Sequence, residues 1–219
     1  MKKVVSFSLW GNNDHYTYGA IENAKSIGNE FYLDWESWFY VHPSVSQDIQ
    51  EKIKDAGGKV IHSSYSEDFS ILFERFKPMS YPEVSIFVSR DCDSRISDKE
   101  YQAVLEWENS DLQFHAMRDH FHHHLYVMGG LWGAKTQGPV NTSQAYKQMI
   151  DSCFGIHYND DQKSLHFLYE KYSKNFLEHD DRQRHKGIKF PDHQSFEYGS
   201  FIGERITSDN QVGPIERWI

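Results

Sequence analysis

Two aspartates separated by one residue, Asp91-Cys92-Asp93, are the side chains of this sequence best suited to chemistry. In extended chain, residues two apart project to the same side. The two carboxylates can therefore aim, about 7 Å apart, at one point while Cys92 faces away. Such a pair suits a hard divalent cation, since Mg²⁺ or Mn²⁺ is held by one or two carboxylates plus water and substrate phosphate. The element that must position the pair is the run before it, in which Val84, Ile86, Phe87 and Val88 read as a buried strand. Open α/β sheets place their ligands beyond the carboxyl ends of the strands. The competing reading is a loop with two solvated acids. Ser97-X-X-Glu100 then forms a capping box, and Tyr101, Val104 and Leu105 give the following helix its apolar stripe.

Composition narrows the function classes. The chain has 219 residues, 16% of them aromatic, and a formal charge of -9. That length suits one domain with ample core. The acidic balance and the lack of a long basic run argue against nucleic acid as a partner. No stretch approaches the ~18 consecutive apolar residues of a transmembrane segment, and MKKVVSFSLW is too short and too polar for a signal peptide. The expectation is a soluble, cytoplasmic chain, a location compatible with association at a membrane surface through a carbohydrate acceptor. Two cysteines, Cys92 and Cys153, are too few for a disulfide framework or a cysteine zinc site.

The pattern along the chain predicts strands at Lys3–Leu9, Trp35–His42, Lys59–His62 and Val84–Val88. These alternate with helices at Tyr18–Ile27, Ser46–Ala56 and Phe69–Phe76. Such alternation implies a parallel sheet with right-handed crossovers in the first half. Beyond Asn109 the periodicity changes. Leu112–Met117 alternates like a strand, and His120, His122 and His124 would share one face if that strand continued. That spacing can serve zinc, but the favoured reading is a polar segment lining a cleft. Asn141–Cys153 reads as a helix, Asp160-Asp161-Gln162 precedes a second one, and Phe196–Ile206 is strand-like.

Further candidates follow from residue type. In Gly129-Gly130-Leu131-Trp132-Gly133-Ala134-Lys135, the glycines describe a backbone that approaches something closely, the Trp132 face suits a sugar ring, and Lys135 suits phosphate. The alternative is a glycine-rich hairpin with a buried tryptophan. Asp161 at a helix start is placed either as a cap or as a base. His179 is a surface histidine or a third ligand for a metal already held by carboxylates. Arg90, Arg95 or Lys135 can add electrostatic stabilisation at a phosphate.

Taken in order, these segments resemble the small GT-A-fold glycosyltransferases of bacteria and large DNA viruses. The resemblance rests on SFSLWG with Tyr18-Gly19 and Asn23, then YLDWESWFYVH, SRDCDSR, MRDH with GGLWGAK, Asp161-Gln162 before an amphipathic helix, His179-Asp180, and FIGE at Phe201–Glu204. It implies a Rossmann-related mixed α/β sheet, mostly parallel in its N-terminal half and flanked by helices. Residues 1–219 would form one domain, with 1–98 the nucleotide-binding half and 99–219 the acceptor and sugar half. The implied activity moves a sugar from a nucleotide donor, a UDP-sugar first, to a glycan or glycolipid hydroxyl, with Mn²⁺ or Mg²⁺ as cofactor. Asp91, Asp93 and His179 would hold the metal. Ser8, Leu9, Trp10, Tyr18 and Asn23 would surround the nucleoside. Arg90, Asp91, Trp132, Gly133, Lys135 and Gln162 would meet the rest of the donor, and Asp161, or failing it Asp119, would be the base. The run His122-His123-His124 departs from the usual pattern and bears on acceptor preference. Two other classes remain open: a metal-dependent phosphohydrolase or nucleotidyltransferase using the same aspartates, and a carbohydrate-binding module with tryptophan platforms.

Overall fold

The computed structural model describes residues 1–63, 69–152, 157, 159–185 and 187–214. Its centre is a seven-stranded sheet of order β3-β2-β1-β4-β6-β5-β7, built from β1 (Lys2–Leu9), β2 (Glu36–Val41), β3 (Lys59–His62), β4 (Val84–Ser89), β5 (Phe114–Arg118), β6 (Trp132–Lys135) and β7 (Phe176–Asp180). β6 runs antiparallel to β4 and β5, and the other pairings are parallel. The mixed α/β sheet, parallel through β1 to β4, is the one expected from the alternation of apolar runs.

Both faces of this sheet are buried, which is why its central strands read as nearly continuous apolar runs. On one face Val5, Phe7, Phe39, Ile86 and Val88 pack under α1 (Asp14–Ser26), α2 (Gln47–Asp55) and α3 (Asp98–Glu108). On the other, Val4, Trp38, Phe87 and Phe114 pack against a 3₁₀ segment (Phe69–Ser80), α4 (Thr142–Asp151) and α5 (Asp160–Tyr172). Ser97 caps α3 through Glu100 N–H at 3.4 Å, as its capping box predicts, whereas α1 begins at Asp14, four residues before the expected Tyr18, with Asn13 capping it through His15 N–H at 3.0 Å.

Several expectations need correction. The helix predicted at Phe69–Phe76 is a longer 3₁₀ stretch with Pro78 inside it. Proline has no N–H to give an α-helical ladder, and the irregular segment instead follows the sheet surface. β5 ends at Arg118, so His120, His122 and His124 do not share a strand face. They sit in consecutive turns, closed by His123 N–H to His120 O (3.0 Å) and His124 N–H to His122 O (2.9 Å). Phe196–Ile206 forms turns rather than a strand, with an isolated bridge from Ile206 to Val212. α4 stops at Asp151, and Cys153 lies outside the described residues. Among the described residues, no helix is long and apolar enough to cross a membrane.

Candidate functional site

The carboxyl ends of β1 and β4 lie side by side, and Arg90 N–H donates to Ser6 O at 3.0 Å to extend their pairing by one residue. From there the chain turns into Asp91-Cys92-Asp93. The turn is held from below by α1. Asn23 donates to Ser94 O at 2.9 Å, and a Cβ on Gly19 would stand 1.9 Å from Cys92 O, so only glycine permits this approach. Asn23 is therefore a support of the acidic turn, buried beneath it, and not a nucleoside contact. Arg90 is likewise buried. Its guanidinium pairs with Glu100 at 2.6 Å and donates to Gly130 O at 2.7 Å and Ser94 Oγ at 3.3 Å. Those contacts point it into the protein and away from any phosphate.

The site's buried cation is a residue that the sequence motifs do not mark. Arg75, in the 3₁₀ segment, donates Nη1 to Asp91 Oδ1 and Nη2 to Asp161 Oδ2, the latter at 2.9 Å. Arg75 and Asp161 are each 4% exposed at the side chain, whereas Asp91 is 46% exposed and opens the cluster to solvent. Ser8 sets the height of Arg75: its hydroxyl donates to Ile71 O (2.7 Å) and accepts Arg75 N–H (3.2 Å). The Ser8 hydroxyl is thus spent on positioning Arg75 rather than on nucleotide. Leu9 is buried, and its carbonyl accepts His42 N–H at 2.9 Å. Trp10 stacks beside Tyr16, with ring centroids 6.5 Å apart, at the open end of β1, and Tyr18 lies under the Arg95 guanidinium at 5.5 Å.

The opposite wall is the Gly129-Gly130 turn. Ser89 Oγ donates to Gly129 O (2.7 Å), and Gly129 N–H donates to the Gln162 side-chain oxygen (3.0 Å). A Cβ on Gly130 would fall 2.0 Å from Asp91 Oδ2, and one on Gly129 would fall 2.5 Å from Arg75 Nη2 and 2.7 Å from Asp161 Oδ2. The close backbone approach expected of the glycine run is real, and its object is the carboxylate cluster. Gly130→Ala is expected to displace the Asp91 carboxylate from Arg75 and to weaken ligand binding there roughly 100-fold, as ~1 Å misplacements in such sites do. Calorimetric titration of Mn²⁺ and UDP into the variant checks this.

Charge at the cluster is unbalanced. Burial pushes the Asp93 carboxyl up to about 7, and the neighbouring Asp91 adds to it; Arg205, 3.9 Å away, and Arg75 oppose without cancelling the effect. Burial also raises Asp161, Asp91 adds to it, and Arg75 pulls the other way. For Arg75, burial disfavours the cation, but Asp91 and Asp161 outweigh it and hold the guanidinium charged. Arg75 thus pairs with Asp91 and Asp161 while Arg205 faces Asp93, and burial draws Asp93 and Asp161 toward their protonated forms.

Other sequence candidates lie elsewhere. Trp132 is wholly buried between Phe76 and Phe87, 5.2 Å from each ring, and offers no face to a sugar. A Cβ on Gly133 would meet Phe87 O at 2.5 Å, so this glycine serves strand packing. Lys135 pairs with Ile86 in the first half of β4, about 16 Å along the chain back from Asp91, and its amine bonds Ser110 O. Asp119 is committed to structure, accepting from Ile202 N–H (3.2 Å) and pairing with Lys99 (3.0 Å). His179 stands on β7, three strand spacings or about 14 Å from β4. Its ring bonds His115 at 2.8 Å and Glu106 at 3.3 Å, so neither nitrogen is left for a metal at Asp91 and Asp93. Among the described residues, no group of three histidine, cysteine or acidic side chains forms a metal set.

No protein-family model and no curated protein sequence matches the chain. Solved structures do. The glucosyl-3-phosphoglycerate synthase of Mycobacterium tuberculosis, in complex with Mn²⁺, UDP-glucose and phosphoglyceric acid, aligns with TM-score 0.54 and 10% identity over 89% of this chain and 72% of that one. The galactosyltransferase LgtC, in complex with donor and acceptor sugar analogues, aligns with TM-score 0.51 and 16% identity over 81% and 73%. The chain has the GT-A fold. A 4-diphosphocytidyl-2C-methyl-D-erythritol synthase from Anaerococcus prevotii matches at TM-score 0.51 and 11% identity over 81% and 88%, so this sheet is shared beyond sugar transfer. In the GT-A frame of this chain, Asp91, Asp93, Arg75, Asp161 and Gln162 converge, whereas Trp132, Lys135 and His179 do not.

Proposed function

We propose that this chain is a metal-dependent glycosyltransferase that moves a sugar from a UDP-sugar to a hydroxyl of a glycan or glycolipid. The observation that carries the reading is the buried Arg75 guanidinium shared by Asp91 and Asp161, beside an Asp93 carboxyl raised to about 7. The aspartates fit a divalent cation. Burial and the charge of Asp91 both disfavour ionised Asp93, so the pair gains from a shared positive charge, and Mg²⁺ or Mn²⁺ takes its remaining oxygens from water and phosphate, so a third protein ligand is not required. Bound there, the cation supplies charge neutralisation for a leaving diphosphate.

The chain's own groups divide the remaining work. Trp10 and Tyr16 offer ring faces to the uracil at the open end of β1. Arg75 holds Asp161 in place, and Gln162, hydrogen-bonded to Gly129, orients the sugar beside it. Asp161 accepts the proton of the acceptor hydroxyl as the new bond from oxygen to the anomeric carbon forms. The bond from that carbon to phosphate oxygen breaks, and its electron pair leaves with UDP. Burial of Asp161, which favours its protonated form, suits that role. The structural neighbour crystallised with Mn²⁺ and UDP-glucose supports the donor and metal assignments.

Calorimetric titration of UDP with and without Mn²⁺ tests the reading. The expected result is UDP binding at least tenfold tighter with the metal, followed by UDP release from a UDP-sugar once acceptor is added. Preference for a nucleoside triphosphate with release of diphosphate would instead make the chain a nucleotidyltransferase. Sugar binding without nucleotide binding would make it a carbohydrate-binding module.

A further inference from the structure

Between β5 and the Gly129-Gly130 turn lies Asp119 to Met128, a stretch rich in histidine and aromatic residues with no lysine or arginine. Its rings form a layer at the surface. His120 stacks flat on Phe201, with centroids 3.8 Å apart and planes 7° apart. Phe121 lies against His120 at 4.3 Å and against His122 at 3.9 Å. Despite these neighbours, Phe121 is 50% exposed, and Leu125 and Tyr126 beyond it are 36% and 38% exposed. A cluster of large side chains left this open on an otherwise acidic protein is unusual.

The layer is fastened to the carboxylate site from both sides. Phe201 belongs to a strap whose Ile206 N–H donates to Asp93 O at 2.8 Å, whose Gly203 rests on Leu131, and whose Ile202 N–H donates to Asp119. The histidine loop itself runs on into Gly129 and Gly130, which touch Arg75 and Asp91. The ring layer is therefore tied to the carboxylate turn through Ile206 on one side and through Gly129 and Gly130 on the other.

We propose that the His120-Phe121-His122 layer, backed by Phe201, is the acceptor subsite, and that it takes an uncharged pyranose stacked on the Phe121 ring. This rests on the transferase reading above. A pyranose offers an apolar C–H face to an aromatic ring and hydroxyls around its edge, and the imidazoles can both donate to and accept from those hydroxyls. Burial and the neighbouring His123 and His122 hold His120 below its ordinary value, so its ring is neutral at pH 7. The charged groups nearby leave a negative excess, with Lys99 shared between Asp119 and Asp181 and Glu204 also acting on His120. Nothing here attracts an anion, and the net charge of -9 with no lysine or arginine in the loop argues against an acidic lipid surface.

Saturation-transfer NMR with methyl β-glucoside, methyl β-galactoside and methyl α-mannoside tests the subsite, run on full-length protein with Mn²⁺ and UDP present. At least one glycoside should bind, and Phe121→Ser and His120→Ala should each weaken it about fivefold, the scale of one lost ring contact. UDP affinity should stay within about twofold of wild type. Leu33→Ser, at an exposed leucine outside both sites, should change neither reading. Absence of glycoside binding, or equal binding by Phe121→Ser, overturns the subsite while the UDP titration independently upholds the transferase. Glycoside binding that depends on Phe121 without any UDP binding overturns the acceptor assignment together with the transferase reading. Sedimentation with phosphatidylcholine and phosphatidylglycerol vesicles that is lost in Phe121→Ser would make the patch a lipid contact and overturn the proposal.

Discussion

Arg75→Met is expected to destabilise the fold by about 3–5 kcal/mol at pH 8, the cost typical of removing one partner from a buried ion pair. Methionine keeps the length and bulk of the side chain, so the loss reports charge more than packing. In wild type the guanidinium offsets the buried Asp161 carboxylate at 2.9 Å and also pairs with Asp91. Without it, burial and the mutual repulsion of the two acids act on Asp161 unopposed, and its folded-state affinity for a proton rises further. A carboxyl raised above its unfolded value contributes stability that is present at low pH and lost as pH climbs through the folded value. Arg75→Met should therefore show a smaller deficit at pH 5.5 than at pH 8, because protonation of Asp161 as pH falls removes the uncompensated charge. Urea denaturation at the two pH values measures this. Equal deficits would mean that Arg75 matters through packing, not through charge.

What was legible in advance divides along physical lines. β1, β2 and β4 are largely apolar on both faces because helical segments cover both, and such strands declare themselves as nearly continuous apolar runs ending in turns. The acidic turn is local to β4, so its place at the sheet's end could be read from Val84 to Asp93 alone. Asp161 and Gln162 were visible as a helix start. Arg75 was hidden because it sits in SILFERFKPM, where one buried arginine among apolar residues looks like the polar side of a helix; its partners lie 16 and 86 residues away. β7 was missed because a pattern such as FLEHD carries too few apolar residues to mark a strand, and its pairing partner β5 is far back in sequence. Trp132 shows the opposite difficulty: among glycines an aromatic ring can face a ligand or the core, and only the packing against Phe76 and Phe87 decides. His179 had the right residue type for a metal ligand but stands on the wrong strand.

Asp93→Asn is expected to abolish metal-dependent nucleotide binding while making the protein more stable, two effects of opposite sign from one carboxylate. The amide keeps the shape but gives up the charge that a hard cation requires, so Mn²⁺ affinity should fall by at least about 100-fold, more than the loss usual for a group one layer removed from a metal. In wild type the proton and the cation compete for Asp93. With the carboxyl raised to about 7, Mn²⁺ affinity should climb by up to about tenfold per pH unit below that value and level off above it. For the unliganded protein the sign reverses. The folded value near 7 lies above the ordinary carboxyl value of 3.8, so ionising Asp93 costs stability as pH rises through 7. The non-titrating amide avoids that cost. The variant should therefore match wild type near pH 5 and melt at a higher temperature at pH 8, with the gap closing when saturating Mn²⁺ is added to wild type, because a ligand bound only by the folded form stabilises it. Thermal melts at both pH values, with and without Mn²⁺, read all of these signs together. A variant less stable than wild type at pH 8 would show that Asp93 is held by its neighbours as a structural acid. A carboxylate that strains the empty fold and is relieved by its ligand is instead what a binding site provides.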